Sequence, residues 1–194
     1  MTYHPGIKRI VYAPVAEMRK LRTGLIDSAS GRGIGPGQPL ILKASTTCDI
    51  ELAFAMPTKD SSIVVTLTES STATINFTAP TGYPSRLGAG GAIRDPWMVS
   101  VGWAQGGAAY HDKLPMLPDD PSLTLRLFLD RHVAEAFFMG GRVVLTSDLL
   151  YLTPGSVTVS ATSRVTLNAA VVHSMGDIHT SVDEVLAAHV DHDH

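Results

Sequence analysis

The chain has 194 residues, 44% of them hydrophobic and 17% charged, with a formal net charge of −3. That size and balance describe one folded domain with a sizeable core rather than a disordered chain, and a chain without a basic excess lacks the electrostatic footprint of a nucleic-acid binder. The single cysteine, Cys48, cannot form an internal disulfide, and no run of about 18 apolar residues marks a transmembrane helix, so neither a nucleic acid nor a membrane is expected as partner.

The opening stretch, MTYHPGIKRIVYAP, lacks the apolar centre of a signal peptide. That leaves the compartment open and fits a fragment, a split gene product or a shortened chain. Residues 1–27 read as a connector of mixed polarity that contains PVAEMRKLR, Pro14 to Arg22. Residues 28–39, SASGRGIGPGQP, are rich in Gly, Ser and Pro and read as a loop.

From residue 40 to residue 176 the dominant signal has period two. Cys48, Ile50, Leu52, Phe54 and Met56 fall on one face of a strand, as do Ile63, Val65 and Leu67, then Ile75 and Phe77, then Trp97, Val99, Val101 and Trp103. Val157 and Val159, and then Val165, Leu167 and Val171, repeat the pattern. Successive strand side chains point to opposite faces, so each segment has one face to bury and one to wet. That favours antiparallel pairing. A tight hairpin is predicted with Val133–Phe138 as one strand, Met139, Gly140 and Gly141 as the turn, and Arg142 to Thr146 returning.

Residues 177–190 read as a short helix, with Ser181 and Glu184 as a capping box, and the chain ends in a polar tail rich in His and Asp. The expected fold is therefore all-β: a two-sheet antiparallel sandwich of the jelly-roll or concanavalin-like kind, over residues 40–176, with a short helix and tail at 177–194.

Few residues invite chemistry. Arg94-Asp95-Pro96 reads as a turn into the strand at Trp97, because Asp-Pro favours a turn or strand start. His189, His192 and His194 with Asp191 and Asp193 lie in a tail with no fixed geometry, so no metal site and no cofactor is expected. Cys48 sits on an apolar face and reads as core. A G-x-S-x-G nucleophile elbow is absent, and GAGGAIRD, residues 88–95, is glycine-rich but lies between strands rather than between a strand and a helix.

The informative stretch is LRLFLDRHVAEAFFMGGRVVLTS, Leu125 to Ser147. A half-buried acid in a strand costs free energy unless paired, so Asp130 and Glu135 call for partners. Arg126, Arg131 or Arg142 could pair with them across a sheet. Alternatively Asp130, Arg131 and Glu135 could hold sugar hydroxyls, the carboxylates accepting and the guanidinium donating. Trp97, Trp103 and Tyr110 could then offer an apolar face to a sugar ring, or could be core.

That stretch resembles the signature of the C-terminal β-sandwich of glycoside hydrolase family 32, the invertases, inulinases and levanases. Asp130-Arg131, Glu135, Phe137, Gly141-Arg142 and Thr146 match the family pattern. His132 stands where Ser is usual, and Ala134 and Ala136 where valines are usual. Pro14 to Arg22 resembles the family's connector from a five-bladed catalytic propeller into the sandwich. The family's catalytic carboxylates lie in that propeller, in Asn-Asp-Pro, Arg-Asp-Pro and Glu-Cys motifs. Asn-Asp-Pro and Glu-Cys do not occur in this chain, and Arg94-Asp95-Pro96 falls in the sandwich region, so Asp95 is given no catalytic role. The resemblance implies a non-catalytic accessory domain that supports a propeller and oligomer contacts, or else a free-standing fructan-binding module. A complete small hydrolase is the remaining alternative.

Overall fold

In the computed structural model, residues 1–69, 71–78, 97–148 and 155–176 are described. Arg94-Asp95-Pro96, the expected helix at 177–190 and the His/Asp tail lie outside them. The described strands are β1 (Thr2–His4), β2 (Arg9–Val11), β3 (Arg22–Ile34), β4 (Leu40–Lys43), β5 (Thr47–Ala55), β6 (Ser61–Thr68), β7 (Ser71–Phe77), β8 (Trp97–Gln105), β9 (Ala108–Met116), β10 (Ser122–Asp130), β11 (Val133–Phe138), β12 (Val143–Asp148), β13 (Ser156–Ala161) and β14 (Val165–Met175), with a 3₁₀ helix at Ala16–Leu21. They form two six-stranded sheets and one small hairpin.

The first sheet has the order β12-β11-β10-β5-β14-β3, the second β4-β13-β6-β7-β8-β9, and β1 pairs with β2. Every pairing is antiparallel. The alternation read from the sequence is the reason for the sandwich. Cys48, Ile50, Leu52 and Phe54 of β5 and the leucines of β10 point inward from the first sheet. Ile63, Val65, Ile75, Val99 and Val101 point inward from the second, and all of them belong to one buried cluster. Complete burial of each such aliphatic side chain stabilises the fold by about 1.5–3 kcal/mol relative to exposure.

Three local expectations are corrected. Residues 28–34 are not loop but the second half of β3, whose long register with β14 runs from Arg22 to Ile34. Pairing along that edge outweighs the low strand propensity of Gly and Ser, and Gly31, at φ 62°, supplies the one backbone twist that other residues avoid. Residues 1–27 are not merely a connector, because they hold β1, β2, the 3₁₀ helix and the start of β3. Third, Val171 does not share the buried face of Val165 and Leu167. The register with β5 slips between Leu167 and Ala169, so Ala170 and Val172 turn inward instead.

At one side of the sandwich the two edge strands β3 and β4 belong to different sheets. The Asp27 carboxylate bridges them by accepting the Lys43 backbone N–H at 2.8 Å. Near the β11–β12 turn, Arg142 donates to both oxygens of Asp120 at 2.6 Å and to the Pro115 carbonyl at 3.1 Å. The N-terminal arm crosses this turn. Tyr12 donates its N–H to the Gly141 carbonyl at 3.0 Å, and a Cβ on Gly141 would lie 2.4 Å from the Tyr12 carbonyl oxygen. Glycine is required there both for that approach and for its φ of 94°.

Candidate functional site

The outward face of the first sheet carries the chain's densest polar chemistry. Residues of one parity point there: Asp49 and Glu51 from β5, Arg126 and Phe128 from β10, Glu135 and Phe137 from β11. Register places Glu51 opposite Arg126, and Asp49 opposite Phe128 on one side and His173 on the other. Arg22, the last residue of the connector motif, arrives from the start of β3.

These residues close into a quartet. Arg22 donates to Asp49 Oδ2 from Nε at 2.8 Å and from Nη2 at 2.5 Å. Arg126 donates from Nε to Oδ1 at 2.8 Å and from Nη2 to Oδ2 at 2.7 Å. Both guanidiniums also meet Glu51: Arg22 in a short contact with Oε1, Arg126 at 3.4 Å. The two positive and two negative charges cancel. Asp49 is wholly buried (0% exposed), whereas Glu51 is 39% exposed. Burial pushes the Asp49 carboxyl up, but hydrogen bonds and charge from Arg126 and Arg22 outweigh it and hold the group below the ordinary carboxylate range. The Arg22 guanidinium moves the other way. Burial lowers it, and its bonds to Asp49 and Glu51 leave it raised.

Aromatic residues extend the cluster. The Arg126 guanidinium sits 4.5 Å above the Phe128 ring, and Phe128 meets Phe137 edge-to-face at 5.7 Å. A concavity of about 330 Å³ lies beside the quartet, lined by Arg19, Glu51, Thr124, Arg126 and Phe137 among others. Chemically the quartet is a clamp. Each carboxylate already has its guanidinium donors, and Asp49 is held as the anion rather than poised to move a proton.

The residues singled out from sequence fall into three places. Asp130 and Glu135 share the outward face: Asp130 pairs with Val133, Glu135 with Phe128, so the two acids occupy diagonal positions on neighbouring strands. Arg131 lies in the two-residue turn between β10 and β11 at φ 50° and donates its backbone N–H to the Thr46 carbonyl at 2.8 Å. Tyr110 is exposed on β9, in the other sheet. Trp97 and Trp103 are in the core, Trp103 only 1% exposed, so neither indole presents a face to a sugar ring. Two of the three arginines that could have paired with Asp130 and Glu135 take other partners: Arg126 binds Asp49 and Glu51, and Arg142 binds Asp120.

Sequence reading missed Arg22, Asp49 and Glu51. A signal was present in CDIELAFAM, where two acids alternate with the apolar residues and so share the opposite face of one strand. Cys48, on the inner face of the same strand, is core as expected. Burial pushes its thiol up to about 11. Among the described residues no group of three or more His, Cys, Asp or Glu converges as a metal site, and no helix is long and apolar enough to cross a membrane.

Comparison with known proteins agrees with this architecture. The chain superposes on fructan 1-exohydrolase IIa from Cichorium intybus with a TM-score of 0.65 and 15% identity, covering 88% of this chain and 38% of that one. It superposes on exo-inulinase from Aspergillus awamori with a TM-score of 0.59 and 16% identity, covering 82% and 31%. For the GH32 β-fructofuranosidase BmSUC1 of Bombyx mori the values are 0.55, 17%, 87% and 30%. This chain thus spans well under half the length of each. No curated protein matches it. The family described as "Glycosyl hydrolases family 32 C terminal" matches residues 20–174, from the end of the connector to the last strand. The chain therefore belongs to glycoside hydrolase family 32, as its C-terminal β-sandwich domain.

Proposed function

We propose that this chain is the non-catalytic accessory domain of a fructan- or sucrose-hydrolysing glycosidase, and that it packs against the family's catalytic propeller. The carrying observation is the N-terminal arm, which precedes the matched region and exposes apolar side chains. Tyr3 and Ile10 pair across β1 and β2 on one face and are 61% and 50% exposed. Tyr12 and Val15 continue the arm at 51% and 62%. Contiguous exposed apolar surface marks a contact site. The arm is held rather than trailing: Ile7 is buried, and Tyr12 is bonded to the hairpin turn. The closed quartet fits the same reading, since it clamps the connector to the sheet and its own two carboxylates are held by guanidiniums rather than poised for proton transfer.

Sedimentation of the chain alone, from low to high concentration, tests the docking surface. Self-association through the uncovered arm is expected, and Ile10→Asp should abolish it. A chain that stays monomeric throughout would remove the arm as a docking surface. Release of sugar from sucrose, inulin or levan by the chain alone would overturn the non-catalytic reading.

A second reading is supported by the shared outward face of Asp130 and Glu135. In it the sandwich binds a fructan, with those acids and Arg131 as polar contacts. Calorimetric titration with levan tests it. Unchanged affinity in a folded Glu135→Ala variant would take Glu135 out of such a site.

A further inference from the structure

At the other end of the sandwich the β8–β9 hairpin runs past the edge of the first sheet. Gly106 and Gly107 turn it, both at positive φ. Every β9 residue from Ala108 to Lys113 is exposed, whereas Leu114 to Met116 are buried. The exposed half keeps the phase of the inner face: Ala108 pairs with Gln105 and Tyr110 with Trp103. Their side chains therefore leave the sheet on the side that is core farther along the strand. Facing them is β12, the edge strand of the first sheet, whose Ser147 hydroxyl donates to the Gln105 amide oxygen in a short contact. Between them opens a mouth of about 310 Å³, lined chiefly by Gln105, Tyr110, Thr146, Ser147 and Asp148.

We propose that this mouth binds a neutral saccharide. Tyr110 is 60% exposed and supplies an aromatic face for the C–H side of a sugar ring. Gln105 spends its amide oxygen on Ser147, and its NH₂ group offers two donors. Thr146 and Asp148 line the rim from the edge strand; across from Glu135 and Val133, their exposed side chains leave the outward side of β12, so the hydroxyl and the carboxylate can meet sugar hydroxyls at the rim rather than between the sheets. Among the described lining residues there is no Lys or Arg and a single carboxylate, a set that suits a neutral ligand better than an anion or a bound cation. A purely apolar ligand would leave the amide, the hydroxyls and the carboxylate without partners. A further polar group stands behind the mouth. Ser71, directly across from Gln105 on the inner face and 1% exposed, has a hydroxyl with no hydrogen-bond partner among the described residues. Buried polar groups left in this state are uncommon and mark places where a water or ligand completes the network.

The saccharide class follows from the lining of the mouth; the choice of a fructoside as first probe rests on the family reading above. The test is a titration of the isotopically labelled 194-residue chain with a fructo-oligosaccharide and, separately, with maltotriose, following backbone amide shifts. Saturable shifts at Gln105, Ala108, Tyr110 and Ser147 are expected with at least one sugar. Tyr110→Ala should weaken that binding about tenfold, Tyr110→Phe should retain it because the ring remains, and Asp148→Asn should weaken it less than Tyr110→Ala. Thermal melting of the variants controls for folding. No shift in the mouth up to about 50 mM of either sugar overturns the site. Shifts confined to the outward face around Glu135 also overturn it, while leaving the fructan-binding reading standing. Binding of maltotriose alone in the mouth upholds the site and removes its link to fructosides.

Discussion

The outward face of the first sheet and the mouth at the β8–β9 hairpin use similar polar vocabulary to opposite ends. On the face, Arg22, Asp49, Glu51 and Arg126 satisfy one another, and Asp49 is fully buried beneath its partners. At the mouth, one amide–hydroxyl contact joins the sheets, and a tyrosine ring and a carboxylate stay exposed. Polar density therefore does not locate a binding site; unspent hydrogen-bonding capacity does. The face is where the connector is fastened, and the mouth is where a ligand has something left to meet.

The largest effect that would break this contrast comes from removing the centre of the clamp. Asp49→Ala would leave two guanidiniums packed without their carboxylate, and losing one partner of a buried ion pair costs about 3–5 kcal/mol. Urea denaturation should show that loss, with the connector freed first under limited proteolysis. A change below about 1 kcal/mol would mean that the quartet is decoration rather than a clamp. The same group sets a pH dependence. Because the native Asp49 carboxyl titrates below its unfolded value, its contribution is complete above about pH 4 and is lost as pH falls through the lower native value. The groups facing it are Arg22, Arg126, Glu51 and His173. Wild type should therefore lose more stability than Asp49→Asn on acidification, and the two curves should converge at low pH.

A second, smaller comparison is contained in a single turn. Gly140 and Gly141 both have positive φ, 66° and 94°, but only Gly141 lies against the Tyr12 carbonyl. Gly140→Ala should cost about 1 kcal/mol, the backbone penalty alone. Gly141→Ala adds a clash with the N-terminal arm, so it should cost more, about 2–3 kcal/mol, and should also increase hydrogen exchange at Tyr12. Equal effects would show that the arm is not seated on the turn.

How much of this was legible in the sequence depended on range. Alternation along β5 to β8 is local, so the sandwich and its inner faces could be read directly. The β11–β12 hairpin could be read as well, because its glycines sit where the turn needs them. The clamp could not, since it depends on which strands are neighbours. Arg126 reaches Asp49 only because β10 pairs with β5 across 77 residues, and Arg22 comes from a segment whose polarity looked like a linker's. The two tryptophans were ambiguous for a related reason. Period two places Trp97 and Trp103 on one face without saying whether that face is core. The slip after Leu167 left no mark either, since Ala169 and Ala170 suit either side of a sheet.

The smallest expected effects separate the two regions most directly. Glu51 is 39% exposed and sits at the rim of the clamp, so Glu51→Gln should cost no more than about 1 kcal/mol, as exposed ion pairs do. That cost should shrink further in high salt, because solvent ions screen a rim charge as they cannot screen Asp49. Tyr110→Ala should change stability by about 0.5 kcal/mol or less, because the ring packs against little in the folded chain. A larger loss at Tyr110 would mean that the ring is structural and the mouth is held closed by it, and the distinction between fastened face and open mouth would fail at its open end.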